Sequence, residues 1–266
     1  MKKRFVAIIV FVLCACSAYA GPFRLSWAVD GTTAGTALSA NAAALVAMRL
    51  HVKSASQPTA KLSLDSVNAF DKLIVLPYNK TLDYVGTGLE VASLGSVATL
   101  ATTDKGEWGT IAVMYAESVL LSNGIKDLAK AFVSRPRPYM YYDDFLIAED
   151  WNSSFFSGHT TTAFTGAAFT SYVFSSYFPD SKWKVPVIVG SYALATATAA
   201  SRIASGSHFL SDVLAGAIVG TLSGILVPYL HTLEFGKGTD RDEFVPKQMY
   251  LTASLIPDGF LIRCDF

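Results

Sequence analysis

The sequence predicts an all-α protein, a bundle of closely packed helices, and three observations carry that expectation. Five apolar stretches, 84–103, 108–125, 160–179, 185–201 and 209–230, space their apolar residues with a helical period and without the sustained alternation of a strand. Each is rich in Ala, Gly, Ser and Thr, small residues that let helix backbones approach closely. Across the 266 residues, 52% are hydrophobic and only 16% charged, above the usual apolar share of a soluble globular protein, so a bilayer is one natural setting for the bundle.

The elements follow in order. Lys2, Lys3 and Arg4 precede an apolar run from Phe5 to Cys14, and Ala18-Tyr19-Ala20 stands before Gly21, the layout of a secretory signal peptide over residues 1–20. Two alternatives are a retained first span, short for roughly 30 Å of hydrocarbon, and lipidation at Cys16 within Leu13-Cys14-Ala15-Cys16. Cys264 then has no partner in the exported chain, so no structural disulfide is expected and its thiol reads as inert. Residues 21–83 hold an apolar helical patch from Ala40 to Leu50 and a polar connection from Ser54 to Pro58, and read as an N-terminal helical or external segment. Residues 84–230 form the core, and 231–266 a more polar tail ending in short apolar runs.

Whether the core helices cross a membrane turns on their charge. Thr160 to Pro179 is uncharged and long enough to span, whereas Glu90 and Glu117 interrupt the two earlier stretches. About five spans after signal cleavage are self-consistent, with Thr102 to Glu107 and Pro179 to Lys184 as short cytoplasmic turns. The positive-inside rule is confounded by Lys126, Lys130, Arg135 and Arg137. Twenty-one basic residues balance twenty-one acidic ones without a dense basic run, which argues against nucleic acid as a partner.

The chemistry concentrates between residues 130 and 212. Lys130, Arg137-Pro138, Ser157-Gly158-His159, Ser201-Arg202, His208 and Asp212 combine three cations, two imidazoles and a carboxylate in a chain with only four histidines. That combination suits phosphoryl transfer, which depends on neutralising phosphoryl oxygens. Ser157 reads as the N-cap of the helix that follows, with Gly158 letting the backbone approach an anion at the helix start. His159 on the first turn is placed to protonate a leaving alkoxide. His208 and Asp212 are four apart; on a helix they would share a face, the carboxylate orienting the ring so that one nitrogen is free as a nucleophile. Three adjacent cations would repel a metal ion, so metal-free chemistry is expected and no metal ligands are assigned. Singly, each residue has an ordinary structural reading, and for His51 and His231 that reading stands. Tyr139, Tyr141 and Tyr142 read as interfacial anchors.

The pattern Lys130-x6-Arg137-Pro138, Ser157-Gly158-His159 and Ser201-Arg202-x5-His208-x3-Asp212 resembles the three-part signature of the type 2 phosphatidic acid phosphatase (PAP2) superfamily over about residues 84–230. That superfamily includes lipid phosphate phosphatases, undecaprenyl pyrophosphate phosphatases, bacterial class A acid phosphatases and vanadium haloperoxidases, all on a helical bundle. The resemblance implies a cofactor-free phosphatase with His208 as the nucleophile forming a phosphohistidine, Asp212 as its partner and His159 as the acid. It makes Lys130, Arg137, Ser157, Gly158 and Arg202 the phosphate-binding residues. The implied partner is a phosphorylated lipid or a small phosphomonoester, in the bacterial envelope with the site facing the periplasm. A soluble periplasmic acid phosphatase, a vanadate-dependent haloperoxidase and a catalytically silent binding protein are the alternatives. One departure is Phe156, where the family usually has proline. Arg135-Pro136 offers a second register, but seven residues before Arg135 stands Leu128, so Arg137 fits the pattern.

Overall fold

A computed structural model of the protein describes residues 21–51, 56–145, 148–233, 250–256 and 259–265. The expectations for residues 1–20, Cys14 and Cys16 among them, lie outside the described residues. The chain forms two units, Met1–Leu233 and Glu234–Phe266.

Among the described residues, the first unit contains six α-helices: α1 Trp27–His51, α2 Lys80–Gly95, α3 Trp108–Phe132, α4 Gly158–Tyr177, α5 Lys184–Ala204 and α6 Leu210–Leu230. All five expected stretches are helical, and the patch at Ala40–Leu50 belongs to the longer α1. The first stretch divides: Asn79 caps α2 by accepting the Leu82 N–H at 3.0 Å, and a 3₁₀ segment, Ser96–Thr102, continues it. The second runs on to Phe132, which carries Lys130 to the last turn of α3.

Helix α4 is central, in contact with α2, α3, α5 and α6, while α1 packs on α3. Its threonines can be buried because their hydroxyls return to the preceding turn, as Thr161 Oγ1 does to Ser157 O at 2.7 Å and Thr165 Oγ1 to Thr161 O at 2.8 Å. The uncharged run from Thr160 is thus accounted for by neighbouring helices. The α4–α6 contact is set by glycine. A Cβ at Gly216, Gly220 or Gly224 would lie 2.8, 2.2 or 2.6 Å from the carbonyl oxygens of Ser157, Thr161 and Thr165 respectively. These three glycines recur every fourth residue and so form one stripe facing α4.

The bundle has an apolar end and a polar end. Phe23, Leu100, Ile111, Met114, Phe169, Val173, Phe174 and Val227 cluster where α3 begins and α4 and α6 finish. The opposite ends, where α3 finishes and α4 and α6 begin, hold the motif residues. Among the described residues two helices, α5 and α6, are long and apolar enough to cross a membrane by length and composition, against about five spans expected. Val185, Val189, Ile218 and Leu222 on them are exposed.

One expectation is corrected. The tyrosines pack inward: Tyr139 is buried edge-on to Tyr78, Tyr141 packs on Phe209, and Tyr142 donates its hydroxyl to Val75 O at 2.7 Å. The all-α bundle expected for the core is what the first unit forms, and the second unit adds a hairpin. In the second unit β1, Tyr250–Ile256, pairs antiparallel with β2, Gly259–Asp265, from Tyr250 opposite Asp265 to Ile256 opposite Gly259. In sequence Leu251, Ala253 and Leu255 alternate with Tyr250, Thr252 and Ser254, a two-residue period short enough to escape notice.

The glycine stripe yields a direct test. Gly220→Ala, by overpacking against Thr161 O, should destabilise the bundle by about 1 to 3 kcal/mol. Gly190→Ala, where a Cβ meets nothing within 4 Å, should leave stability unchanged or raise it. Thermal unfolding of the two purified variants compares them.

Candidate active site

The loop from Val133 to Phe156 and the two helix starts it touches bring the motif residues together. Ser157 is the N-cap of α4, its Oγ accepting the Thr160 N–H at 3.5 Å, as the sequence predicts. Its own N–H donates to Asp212 O at 3.1 Å, fixing the start of α4 against the start of α6. A Cβ on Gly158 would meet Lys126 Cδ at 3.0 Å and Lys130 Nζ at 3.8 Å, so the Lys130 ammonium lies over the first turn of α4. Burial, with the charges of Arg137 and Lys126 adding to it, pushes Lys130 down to about 8, which leaves it mostly charged at neutral pH.

His208 is not on a helix. It lies two residues before α6, in the turn after α5, where its N–H donates to Arg202 O at 3.2 Å. Asp212 is on the first turn of α6, so the shared helix face expected from the four-residue spacing does not form. His208 Nδ1 instead lies 2.8 Å from Ser154 O and 3.8 Å from Asp212 Oδ2. A carbonyl can only accept, so Nδ1 carries the proton and the neutral ring has its lone pair at Nε2. That nitrogen faces Arg137 Nη1 at 3.4 Å. Burial, reinforced by Arg137 and Lys130 against the pull of Asp212, holds the buried ring well below the usual imidazole range.

Asp212 acts one step away from the ring. Its Oδ2 accepts from Ser154 Oγ at 2.6 Å and from the Phe209 N–H at 2.9 Å, which places the carbonyl that holds His208. Its Oδ1 pairs with Arg135 Nη1. Arg135 also reaches Asp71 Oδ2 at 2.5 Å and stacks 4.5 Å above the Phe209 ring. Asp71 in turn accepts from the Ser211 N–H at 2.9 Å. Arg135, set aside by the sequence pattern, thus supports the site through Asp212, while Arg137 enters it.

The other cations are held by acids. Arg137 Nη2 pairs with Asp150, and its Nη1 donates to Ser207 O at 3.2 Å. Arg202 Nη1 pairs with Asp83 Oδ1 at 2.6 Å, but its buried Nε has no hydrogen-bond partner. His159 Nε2 lies 3.2 Å from Thr87 Oγ1 and 3.5 Å from Glu90 Oε2, both on α2. Burial, then the charge of Arg202, pushes His159 down to about 4. Ser201 packs against Gly86 of α2 and turns its hydroxyl to Thr198 O at 2.6 Å. Asp71, Asp83 and Ser154 were not found from sequence, since no spacing ties them to the motifs; Arg135-Pro136 was the one visible signal.

Residues 111–235 match the PAP2 superfamily model, a segment that contains Lys130, Arg137, Ser157, Gly158, His159, Arg202, His208 and Asp212. That segment belongs to the PAP2 superfamily. The chain is 35% identical over 128 residues to a lipid A 1-phosphatase of Porphyromonas gingivalis, a match that takes in 48% of this chain and 25% of that protein. The chain therefore spans about a quarter of the length of the curated relative. Among solved structures it is similar to a transmembrane PAP2 type phosphatidylglycerolphosphate phosphatase from Bacillus subtilis, with 23% identity, a TM-score of 0.40, and 73% of this chain and 95% of that one covered. Asp71, Asp83, Thr87 and Glu90 all precede the PAP2 segment.

Two outcomes follow from this geometry. Arg135→Ala removes the counter-charge of two fully buried carboxylates, Asp71 and Asp212, and should cost about 3 to 5 kcal/mol in thermal or denaturant unfolding. For pH, the fold favours neutral His159 and His208, so their stabilisation is complete above about 6.5 and is lost as pH falls, for His159 towards about 4. The unfolding temperature should drop between pH 7 and 4.5, and His159→Gln should drop less over the same interval.

Proposed function

We propose that this chain is a metal-independent phosphatase of membrane lipid phosphates that works through a phosphohistidine on His208. The observation that carries this reading is the Nδ1–H bond to Ser154 O, which leaves Nε2 as a lone pair beside the Arg137 guanidinium.

In the first step Nε2 attacks phosphorus, forming a P–N bond as the P–O bond to the leaving group breaks. The positive charge that develops on the ring is stabilised by the Ser154 carbonyl and by Asp212 3.8 Å away. His159 gives its proton to the departing alkoxide. Its low value in the free site follows from burial among cations, and a dianionic phosphoryl group reverses that field and raises it. A water molecule, deprotonated by His159, then attacks phosphorus and breaks the P–N bond, releasing inorganic phosphate and restoring neutral His208. Lys130, Arg137 and Arg202, with Ser157 and the Gly158 amide, hold the phosphoryl oxygens, and an oxygen beside Arg202 would satisfy its unpartnered Nε.

The lipid part of the reading rests on the apolar surface of the helix that carries Arg202. An open, shallow apolar face of α5, with Ile188, Val189, Tyr192, Thr196 and Ala200 along it, lies on the helix whose last turn carries Arg202. An acyl chain lying there would place its headgroup among the cations. The similarity to a lipid A 1-phosphatase and the exposed aliphatic faces of α5 and α6 point the same way. The site then opens at the periplasmic side of the inner membrane.

The test is inorganic phosphate release from detergent-solubilised phosphatidate, with EDTA added at the start of a short assay. Wild-type protein should turn over, and His208→Ala should lose about 10³-fold or more. Equal rates would rule out His208 as nucleophile. Faster turnover of a soluble phosphomonoester by protein that a salt wash frees from membranes would replace the lipid by a small substrate.

A further inference from the structure

A second cluster of titratable groups lies far from the phosphate site. Asp30 on the first turn of α1, Glu117 in α3 and His231 just after α6 are all buried, and one ligand atom from each lies within 4.8 Å of the others. His231 Nδ1 is 2.9 Å from Val227 O, so Nδ1 carries the proton and the neutral ring presents a lone pair at Nε2. That lone pair faces Asp30 Oδ1 at 3.1 Å and Glu117 Oε2 at 3.5 Å. Glu117 Oε2 is buried and has no hydrogen-bond partner.

With the ring neutral, three acceptors converge with no donor between them. A second ring proton could bridge one carboxylate at a good angle, but it would leave the other buried oxygen unsatisfied. A divalent cation meets all three and balances the two carboxylates. The spacing agrees: four ligands about 2.0 to 2.1 Å from a tetrahedral zinc ion are separated by roughly 3.3 Å, between the two distances observed here. A histidine that donates its other N–H to a backbone carbonyl has the orientation that metal-bound imidazoles use.

We propose that Asp30, Glu117 and His231 bind one zinc ion, with a structural role. Nineteen residues of helical chain separate His231 from Asp212, about 28 Å at the rise of an α-helix, so the ion takes no part in the chemistry at His208. Asp30 precedes the PAP2 segment, whereas Glu117 and His231 lie within it. The ion would fasten α1 to the bundle.

The experiment uses the full chain in detergent, stripped with chelator, equilibrated overnight with micromolar zinc chloride and desalted. Elemental analysis of the wild type should find about one zinc per chain, and zinc should raise its unfolding temperature by several degrees over the stripped protein. Glu117→Gln and His231→Gln should retain less than a tenth of that zinc, while His208→Ala retains all of it. The wild-type titration stands without the variants should either fail to fold. A wild type that holds no more zinc than His231→Gln, or whose unfolding temperature does not respond to zinc, overturns the proposal.

Discussion

Asp212 is a fully buried carboxylate, and the arrangement of the site depends on how its charge is met. Burying such a group uncompensated is costly enough that several partners must be present together. Arg135 and the Ser154 hydroxyl, from the two ends of one loop, and the Phe209 amide supply them. Meeting one charge therefore fixes the loop before α4, the turn before α6 and, through Arg135, the segment around Asp71. The tautomer of His208 follows from this, because the carbonyl that selects it belongs to the residue whose hydroxyl Asp212 holds.

The same economy of position runs through the cations. Arg137 and Arg202 each rest against an acid, Asp150 and Asp83, so neither guanidinium depends on an anion to be held in place. The helix start at Ser157 adds backbone dipoles without adding charge. Burial lowers both Lys130 and Arg202, and Lys130 lies where α4 directs its free amides.

How much of this is visible in sequence depends on whether the information is local. The apolar stretches are local, and all five are helices. The motif residues are legible because cations, imidazoles and a carboxylate stand out in a chain poor in charge, and the structure collects them at one end of the bundle. What could not be read depends on chain segments meeting. A backbone carbonyl, Ser154 O, orients His208, and no side-chain pattern marks a carbonyl. Asp71 and Asp83 reach the site from outside any motif. Asp30 and His231 are 201 residues apart, so His231 looked ordinary until the fold placed two carboxylates before it. Thr160 to Pro179 shows the converse: lack of charge signals low polarity of surroundings, and neighbouring helices provide that as well as lipid does.

The glycine stripe of α6 also governs how the protein can move. Carbonyl oxygens of α4 sit in the three gaps left by Gly216, Gly220 and Gly224, like teeth in a rack, and sliding one helix along the other would drive backbone into backbone. The two helices must travel as one body, and with them Ser157, Gly158, His159 and Asp212. Relative motion within the bundle is left to α2 and α5, which carry Asp83 and Arg202, so one wall of the candidate site can shift while His159 and Asp212 keep their spacing.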